Sequence, residues 1–283
     1  MSEHLTLLDV INRSTEYLNK RGVTNSKGDV EWIISHVTQM GKLELYLNFG
    51  NFIIKEDLNK IRQCIIDRGK RIPLQHILGK INFAGNELFC DKRALIPRPE
   101  TEYLTELIKE RVSTKCNGKI LDLGTGSGAI IITLCLSWEN CEGYGMDKSL
   151  KALSLAEENI KLHDLKNVKL QKFDWSTDNL DYSYDVIVSN PPYLTNDEWY
   201  SAEQEVKEFD PKDALVSDEN GLSDVYHVIK HAKKHLQKNG LLALEIGIGQ
   251  KNKIIQNLSG EFTKIELIKD FCNRERFIFA CKK

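Results

Sequence analysis

Leu121-Asp122-Leu123-Gly124-Thr125-Gly126-Ser127-Gly128-Ala129 decides the fold. Lys119–Leu123 reads as a short buried strand and Ala129–Leu136 as a buried helix, with the glycines between them. Three glycines in five residues let the backbone turn tightly and approach a ligand without Cβ clashes. The free N–H groups at the start of the following helix suit an anionic group. Asp147 stands 19 residues after Gly128, at the end of the next strand, Tyr144–Met146. A carboxylate there can accept hydrogen bonds from both ribose hydroxyls. Gly124, Gly126 and Ala129 also satisfy the dinucleotide spacing, so the loop by itself does not separate a nicotinamide cofactor from S-adenosylmethionine.

Outward from the loop, strands and helices alternate. Leu150–Leu162 reads as a helix, Val168–Phe173 and Tyr184–Ser189 as strands. Val225–Leu236 is an amphipathic helix that Gly240 is expected to end, and Leu241–Ile246 is a strand. A helix near Lys251–Leu258 and strands Phe262–Ile268 and Phe277–Cys281 close the chain. Such alternation predicts an α/β fold, a doubly wound, mostly parallel sheet with helices on both faces.

Toward the N-terminus, residues 1–72 read as a small all-helical domain of three or four helices. Leu8, Ile11 and Leu18, then Val30, Ile33, Ile34 and Val37, then Leu58, Ile61 and Ile65 recur at helical spacing. Ser26 with Asp29 three residues on is a helix-start signal. Residues 73–99, punctuated by Pro73, Gly79, Gly85, Pro97 and Pro99, read as a linker folded as a β-hairpin, and 100–283 as the α/β domain.

The 283 residues are 41% hydrophobic and carry 39 basic against 41 acidic side chains, a formal charge of −2. Residues 1–72 hold eleven basic and nine acidic side chains. Neither balance is a nucleic-acid footprint. With Glu3, Asp9, Arg13, Glu16, Lys20 and Arg21 in the first thirty residues a secretory signal is not expected, and no segment is apolar for long enough to span a membrane. The seven cysteines (64, 90, 116, 135, 141, 272 and 281) contain no CxxC pair, so they read as buried thiols of a reducing, cytoplasmic setting, and no metal site is expected.

Two further motifs carry chemistry. Asp174-Trp175, after the strand Val168–Phe173, offers an adenine one hydrogen-bond acceptor and one flat apolar wall. Asn190-Pro191-Pro192-Tyr193 follows Tyr184–Ser189, and two prolines there stop the strand and stiffen the corner. The Asn190 side-chain oxygen and the Pro191 carbonyl together suit the two hydrogens of a planar –NH2 group, on which Tyr193 can stack. Paired acceptors stabilise positive charge developing on that nitrogen. Hydride transfer has no use for such a grip, which turns the cofactor choice toward S-adenosylmethionine. A protein that only binds the cofactor, and an enzyme acting on an exocyclic amine of nucleic acid (adenine N6 or guanine N2), stand as alternatives.

In these motifs, and more specifically in Pro73-Leu74-Gln75-His76-Ile77-Leu78-Gly79 and Leu95-Ile96-Pro97-Arg98-Pro99-Glu100-Thr101-Glu102, the sequence resembles the HemK/PrmC family, the N5-glutamine methyltransferases of peptide-chain release factors. Phe209-Asp210-Pro211, Gly221-Leu222, Leu244-Glu245-Ile246-Gly247 with Gln250, and Asp270 with Arg276 add to the likeness. The resemblance implies a class I S-adenosylmethionine-dependent methyltransferase sheet of seven strands and a helical domain that helps recognise the release factor. It implies methylation of the glutamine in the Gly-Gly-Gln motif of class I release factors, with S-adenosyl-L-homocysteine as product. It assigns Gly124, Thr125, Gly126, Ser127, Gly128, Asp147, Trp175 and Asn190 to the cofactor, to which the residue chemistry adds Asp174, and Asn190, Pro191, Pro192 and Tyr193 to the glutamine. A monomer with no membrane and no direct nucleic-acid substrate is expected. Asn273 departs from the family by standing where glycine is common. Arg98 is read either as closing the cleft or as pinning the linker through a salt bridge, His76 is given no role, and Lys70-Arg71 reads as a solvated pair.

Overall fold

A computed structural model describes residues 5–112 and 117–283. The chain forms two compact units, one running to Gly79 and including Gln204–Phe209, the other comprising Lys80–Glu203 and Asp210–Lys283. The residues read as a linker therefore divide at Gly79. Residues 204–209, deep in the α/β sequence, belong to the helical unit.

The helical unit contains Leu7–Lys20, Ser26–Thr38, Lys42–Leu47, Lys55–Gly69, Leu74–Leu78 and Gln204–Phe209. Thr6 starts the first helix with a reciprocal cap: its hydroxyl accepts from the Asp9 N–H and the Asp9 carboxylate accepts from the Thr6 N–H. Leu7, Val10, Ile11 and Leu18 meet Val30, Ile33 and Ile34 and then Leu58, Ile61 and Ile65 in one core. Leu8, expected on that face, is 41% exposed, because the stripe runs through Leu7 and Ile11 instead. Ser26 is the first helical residue and not the cap: its hydroxyl donates to the Val23 carbonyl (2.8 Å).

Asp29 turns inward to an ion cluster. Arg68 Nε donates to Asp29 Oδ2 (2.7 Å), and both Arg68 Nη atoms donate to Glu205 Oε1 (3.1 Å each). Arg71 Nε donates to the same Glu205 oxygen (2.6 Å) and Nη1 to the Gly22 carbonyl (3.0 Å). Burial alone raises the Glu205 carboxyl, but Arg71 and Arg68 hold it below its ordinary value. Only Lys70 of the expected solvated pair is solvated, on Asp67, while Arg71 is largely buried against Glu205.

In the second unit, β1 (Lys80–Phe83) and β2 (Asn86–Phe89) form the expected antiparallel hairpin. Phe83 and Leu88 bury between this hairpin and the helices Pro99–Arg111 and Ala129–Ser137. The sheet holds β3 (Lys119–Leu123), β4 (Glu142–Asp147), β5 (Val168–Lys172), β6 (Tyr184–Ser189), β7 (Leu236–Glu245), β8 (Phe262–Lys269) and β9 (Glu275–Lys282). Their order is β5-β4-β3-β6-β7-β9-β8. The first five run parallel, and β9 is antiparallel to both β7 and β8. This is the expected seven-stranded, mostly parallel, doubly wound sheet. Period-two alternation sends Leu121 and Leu123 to one face, against the helix Ser223–His235, and Ile120 to the other, against Pro99–Arg111 and Ala129–Ser137. From β3 the chain winds one way to β4 and β5, and from β6 the other way to β7. The crevice at the carboxyl ends of β3 and β6 is therefore the switch point where such sheets bind ligands.

Gly240 does not end a helix. The helix Ser223–His235 passes directly into β7, and Gly240 lies in an irregular stretch of that strand. A Cβ there would meet the Gln237 carbonyl at 2.9 Å and the Asp185 carbonyl at 3.1 Å, so close backbone approach explains the glycine. Asn273 adopts the left-handed conformation (φ 61°) that a glycine would take, and asparagine tolerates it. Cys90, Cys135 and Cys141 are buried as expected, Cys64 and Cys281 half-buried, and Cys272 is exposed. Cys116 lies outside the described residues. Among the described residues no helix is long and apolar enough to cross a membrane.

Truncating Arg68 leaves Asp29 buried without its counter-ion. Arg68→Ala is expected to lower stability to urea unfolding by roughly 3–5 kcal/mol, as for other broken buried pairs. A loss below about 1 kcal/mol would make the cluster an ordinary surface pair.

Candidate active site

Parallel strands deliver their loops to one edge, and backbone bonds knit those loops together. The Gly124 and Thr125 N–H groups donate to the Met146 carbonyl at the end of β4 (2.8 and 2.9 Å). The Phe173 N–H donates to the Asp147 carbonyl (3.0 Å), and Ser189 Oγ to the Leu123 carbonyl (2.6 Å). The glycine loop, Asp147, Asp174-Trp175 and Asn190 therefore all start from adjoining strand ends.

Gly124, Gly126 and Gly128 all have positive φ. At Gly128 a Cβ would strike Ile132 Cδ1 at 2.9 Å and approach Ala156 Cβ at 3.3 Å, so these side chains pack against bare backbone at the helix start. At Gly126 a Cβ would meet nothing within 4 Å, so the loop presents open space there. Asp147 borders it. Its Oδ2 accepts from the Gly126 N–H (2.9 Å) and its Oδ1 from the Ser149 N–H (2.8 Å). Each oxygen retains a second lone pair for a further donor. Burial raises the Asp147 carboxyl, and the two N–H groups oppose that rise. Trp175 lies beside Gly124, where a Cβ would approach its indole at 3.2 Å, and its Nε1 donates to Asp224 Oδ1 (2.8 Å). Asp174 accepts from the Ser176 N–H and hydroxyl (2.9 and 2.6 Å), which lower its carboxyl.

Thr125 points the other way. Its hydroxyl donates to Asp122 Oδ2 (2.7 Å), beneath the loop, so this side chain shapes the turn from below. Ser127 is buried too, its carbonyl held by Asn159 Nδ2 (2.9 Å). Asp122 was not singled out, although an acid within the apolar strand Lys119–Leu123 is itself a signal. Burial pushes its carboxyl up to about 7, with the Thr125 hydroxyl opposing.

At the tip of β6, Pro191 and Pro192 are buried and Asn190 and Tyr193 half-buried. Asn190 Nδ2 donates to Thr101 Oγ1 (3.0 Å), and Thr101 Oγ1 to Glu245 Oε2 (2.8 Å). The Tyr193 hydroxyl donates to Glu245 Oε1 (3.1 Å). Gln250 Nε2 donates to the Tyr193 and Gly221 carbonyls (3.1 and 2.9 Å). Glu219, Asn220 and Gly221 are consecutively left-handed, and a Cβ on Gly221 would lie 2.1 Å from the Tyr193 carbonyl oxygen. A cavity of about 170 Å³ opens beside Tyr193, lined also by Thr195, Glu198, Asn220, Gln250 and Arg276. Residue-type reasoning assigned no role to Thr101, Glu245, Gln250 or Gly221. Glu245, a charge closing the apolar run of β7, was the signal available. Arg98 pairs with the buried Asp210 carboxylate, so of its two readings the salt bridge is the one formed.

Residues 9–79 match the family described as the PrmC N-terminal domain, and residues 90–208 the methyltransferase small domain. A release factor glutamine methyltransferase of Fusobacterium nucleatum is 38% identical over 280 residues, covering 97% of this chain and 78% of that protein. Proteins of the same name are 36% identical in Thermodesulfovibrio yellowstonii (90% and 92% covered) and 30% identical in Bacillus cereus (98% and 99%). Among solved structures, a Pyrococcus furiosus methyltransferase superposes with TM-score 0.52 at 19% identity, covering 70% of this chain and 89% of that one. A Thermus thermophilus 16S rRNA N2 G1207 methyltransferase in complex with AdoMet and guanosine gives 0.50 at 19% identity, covering 72% and 50%. At these identities the structures bear on the fold alone.

The raised Asp122 carboxyl makes a signed prediction. The folded chain binds this proton more tightly than the unfolded chain, so its contribution to stability falls as pH rises from about 4 to about 7. Asp122→Asn removes the titration. Urea unfolding is expected to favour the variant progressively over wild type across that window, by a few kcal/mol in total. A pH-independent difference would contradict it.

Proposed function

The chain belongs to the release factor glutamine methyltransferase family, and from that membership we propose that it transfers the methyl group of S-adenosyl-L-methionine to the side-chain nitrogen of the glutamine in the Gly-Gly-Gln motif of a class I release factor. The observation that carries this reading is the direction of Asn190. Its amide nitrogen is engaged by Thr101, which leaves its oxygen to accept from a substrate –NH2 group.

The cofactor fits the residues present. Backbone at Gly126 faces open space, Asp147 keeps one lone pair on each oxygen for ribose hydroxyls, and Trp175 beside Gly124 offers a flat wall. Gly124 to Gly128, Asp147, Asp174, Trp175 and Asn190 are the residues proposed to hold it, Thr125 by shaping the loop from beneath. When bound, it supplies an electrophilic methyl on a sulfonium.

The protein's task is to make a carboxamide nitrogen nucleophilic. Its lone pair is delocalised into the carbonyl and must be withdrawn from resonance as the new bond forms. Asn190 Oδ1 and the Pro191 carbonyl, accepting both amide hydrogens, stabilise the positive charge that develops on nitrogen. The prolines hold these acceptors without reorganisation during reaction. Tyr193, tethered through its hydroxyl and its carbonyl, flanks the flat carboxamide. An N-alkylated amide cation is strongly acidic, so its proton can leave to solvent without a dedicated base. Residues 1–72 are proposed to help recognise the release factor, and the chain to act as a cytoplasmic monomer.

Incubation with labelled cofactor and a purified release factor is expected to label one glutamine. Asn190→Ala is expected to lower turnover by at least about a hundredfold while binding of S-adenosylhomocysteine falls far less. Equal loss of both, or labelling of RNA or DNA instead, would overturn the reading.

A further inference from the structure

Glu245 is the last residue of β7, buried, and no part of the proposed reaction touches it. It is nonetheless linked to both polar side chains of the proline corner, to Tyr193 directly and to Asn190 through Thr101. Its Oε2 is reached by the Thr101 hydroxyl, whose oxygen in turn receives Asn190 Nδ2. Its Oε1 is reached by the Tyr193 hydroxyl.

A threonine hydroxyl has one hydrogen. Facing a carboxylate, it must give that hydrogen to the carboxylate, and its oxygen is then an acceptor. Only the nitrogen end of Asn190 can satisfy that acceptor, so the oxygen end is directed away from Thr101. A protonated Glu245 reverses the logic. The acid can donate to Thr101, the hydroxyl is freed to donate onward, and the oxygen end of Asn190 becomes its natural partner. The corner would then present an amide nitrogen, a donor, where an acceptor is required.

We infer that Glu245 is a positioning residue that, acting through the Thr101 hydroxyl, sets which end of the Asn190 carboxamide faces the incoming amine. The inference deepens the proposed function and rests on it. Groups on every side bear on its charge. Arg276, on β9, favours the ionised form, and Glu100, on the helix Pro99–Arg111, opposes it. At the β8–β9 turn, Arg274 pairs with both Glu100 and Asp270, and Asp270 Oδ2 lies 3.8 Å from Arg276 Nε, so these charges largely compensate one another. Burial pushes the Glu245 carboxyl up to about 7, against the Thr101 bond and Arg276. The switch in Asn190 polarity therefore falls near neutrality, with the active form on the alkaline side.

The test reads Asn190 and turnover separately, on the full chain. With asparagine labelled by 15N, and Asn190 assigned by its absence from Asn190→Ala, its side-chain amide resonances are expected to shift with a midpoint of about 7 in wild type. They are expected to stay still in Glu245→Gln and in Thr101→Val. Methyl transfer to the release factor is expected to lose its rate as pH falls through the same midpoint. Thr101→Val should lower kcat about tenfold or more with an unchanged KM for the cofactor, and flatten that acid limb. Thr101→Ser, which keeps the hydroxyl, should restore rate and limb. Asn190 resonances indifferent to pH in wild type, or shifting equally in Glu245→Gln, would overturn the inference, as would Thr101→Val with wild-type rate and limb. Asn190 shifts as expected, in a wild-type chain that methylates no release factor, would retain the Asn190 coupling and reject the proposed function.

Discussion

The pairing of β3 with β6 is the constraint from which the site follows. Parallel neighbours lie about 4.8 Å apart. Asp122 stands opposite Val188 in the register, so both strands end level. One then turns through glycines and the other through prolines. Glycine gives bare backbone and an open approach at Gly126. Proline gives a corner that cannot rejoin a ladder and does not yield to a substrate. The Ser189 hydroxyl on the Leu123 carbonyl ties the two turns at their roots. In the proposed reaction the methyl donor lies over one turn and the methyl acceptor against the other, on adjoining strand ends.

Beneath these turns lie two buried acids with a common design. Asp122 in β3 receives the hydroxyl of Thr125, and Glu245 at the end of β7 receives that of Thr101. Burial lifts each carboxyl to about 7. Each acid costs stability when charged. Each also holds, through one hydroxyl, a side chain at the edge of the proposed site. Polar groups buried under a site in this way belong to its preorganisation.

Much of this was legible in the residues. The short apolar run before the glycine loop marked β3, the run stopped by Pro191 and Pro192 marked β6, and Leu150–Leu162 read as a helix, all with the bounds observed. The HemK/PrmC likeness, carried by the linker block and the Asn-Pro-Pro-Tyr tetrad, points to the family from the residues alone. Illegible were the features that depend on who meets whom across the fold. Gly240 looked like a helix stop because glycine often is one, whereas tight backbone packing against Asp185 in the sheet is its reason. Arg71 looked solvated because its partner, Glu205, lies 134 residues away. Thr101 and Glu245 are 144 residues apart, and only the β7 register and the adjacent helix bring them to Asn190. Local pattern reports periodicity and turns, while long-range polar partners need tertiary structure.

A crystal structure of the chain with S-adenosylhomocysteine and a Gly-Gly-Gln-bearing release factor tests the account most directly. The account predicts the glutamine Nε2 within hydrogen-bond distance of both Asn190 Oδ1 and the Pro191 carbonyl, its remaining face toward the cofactor sulfur over the glycine loop. A glutamine bound elsewhere, or one met by the nitrogen end of Asn190, would contradict it.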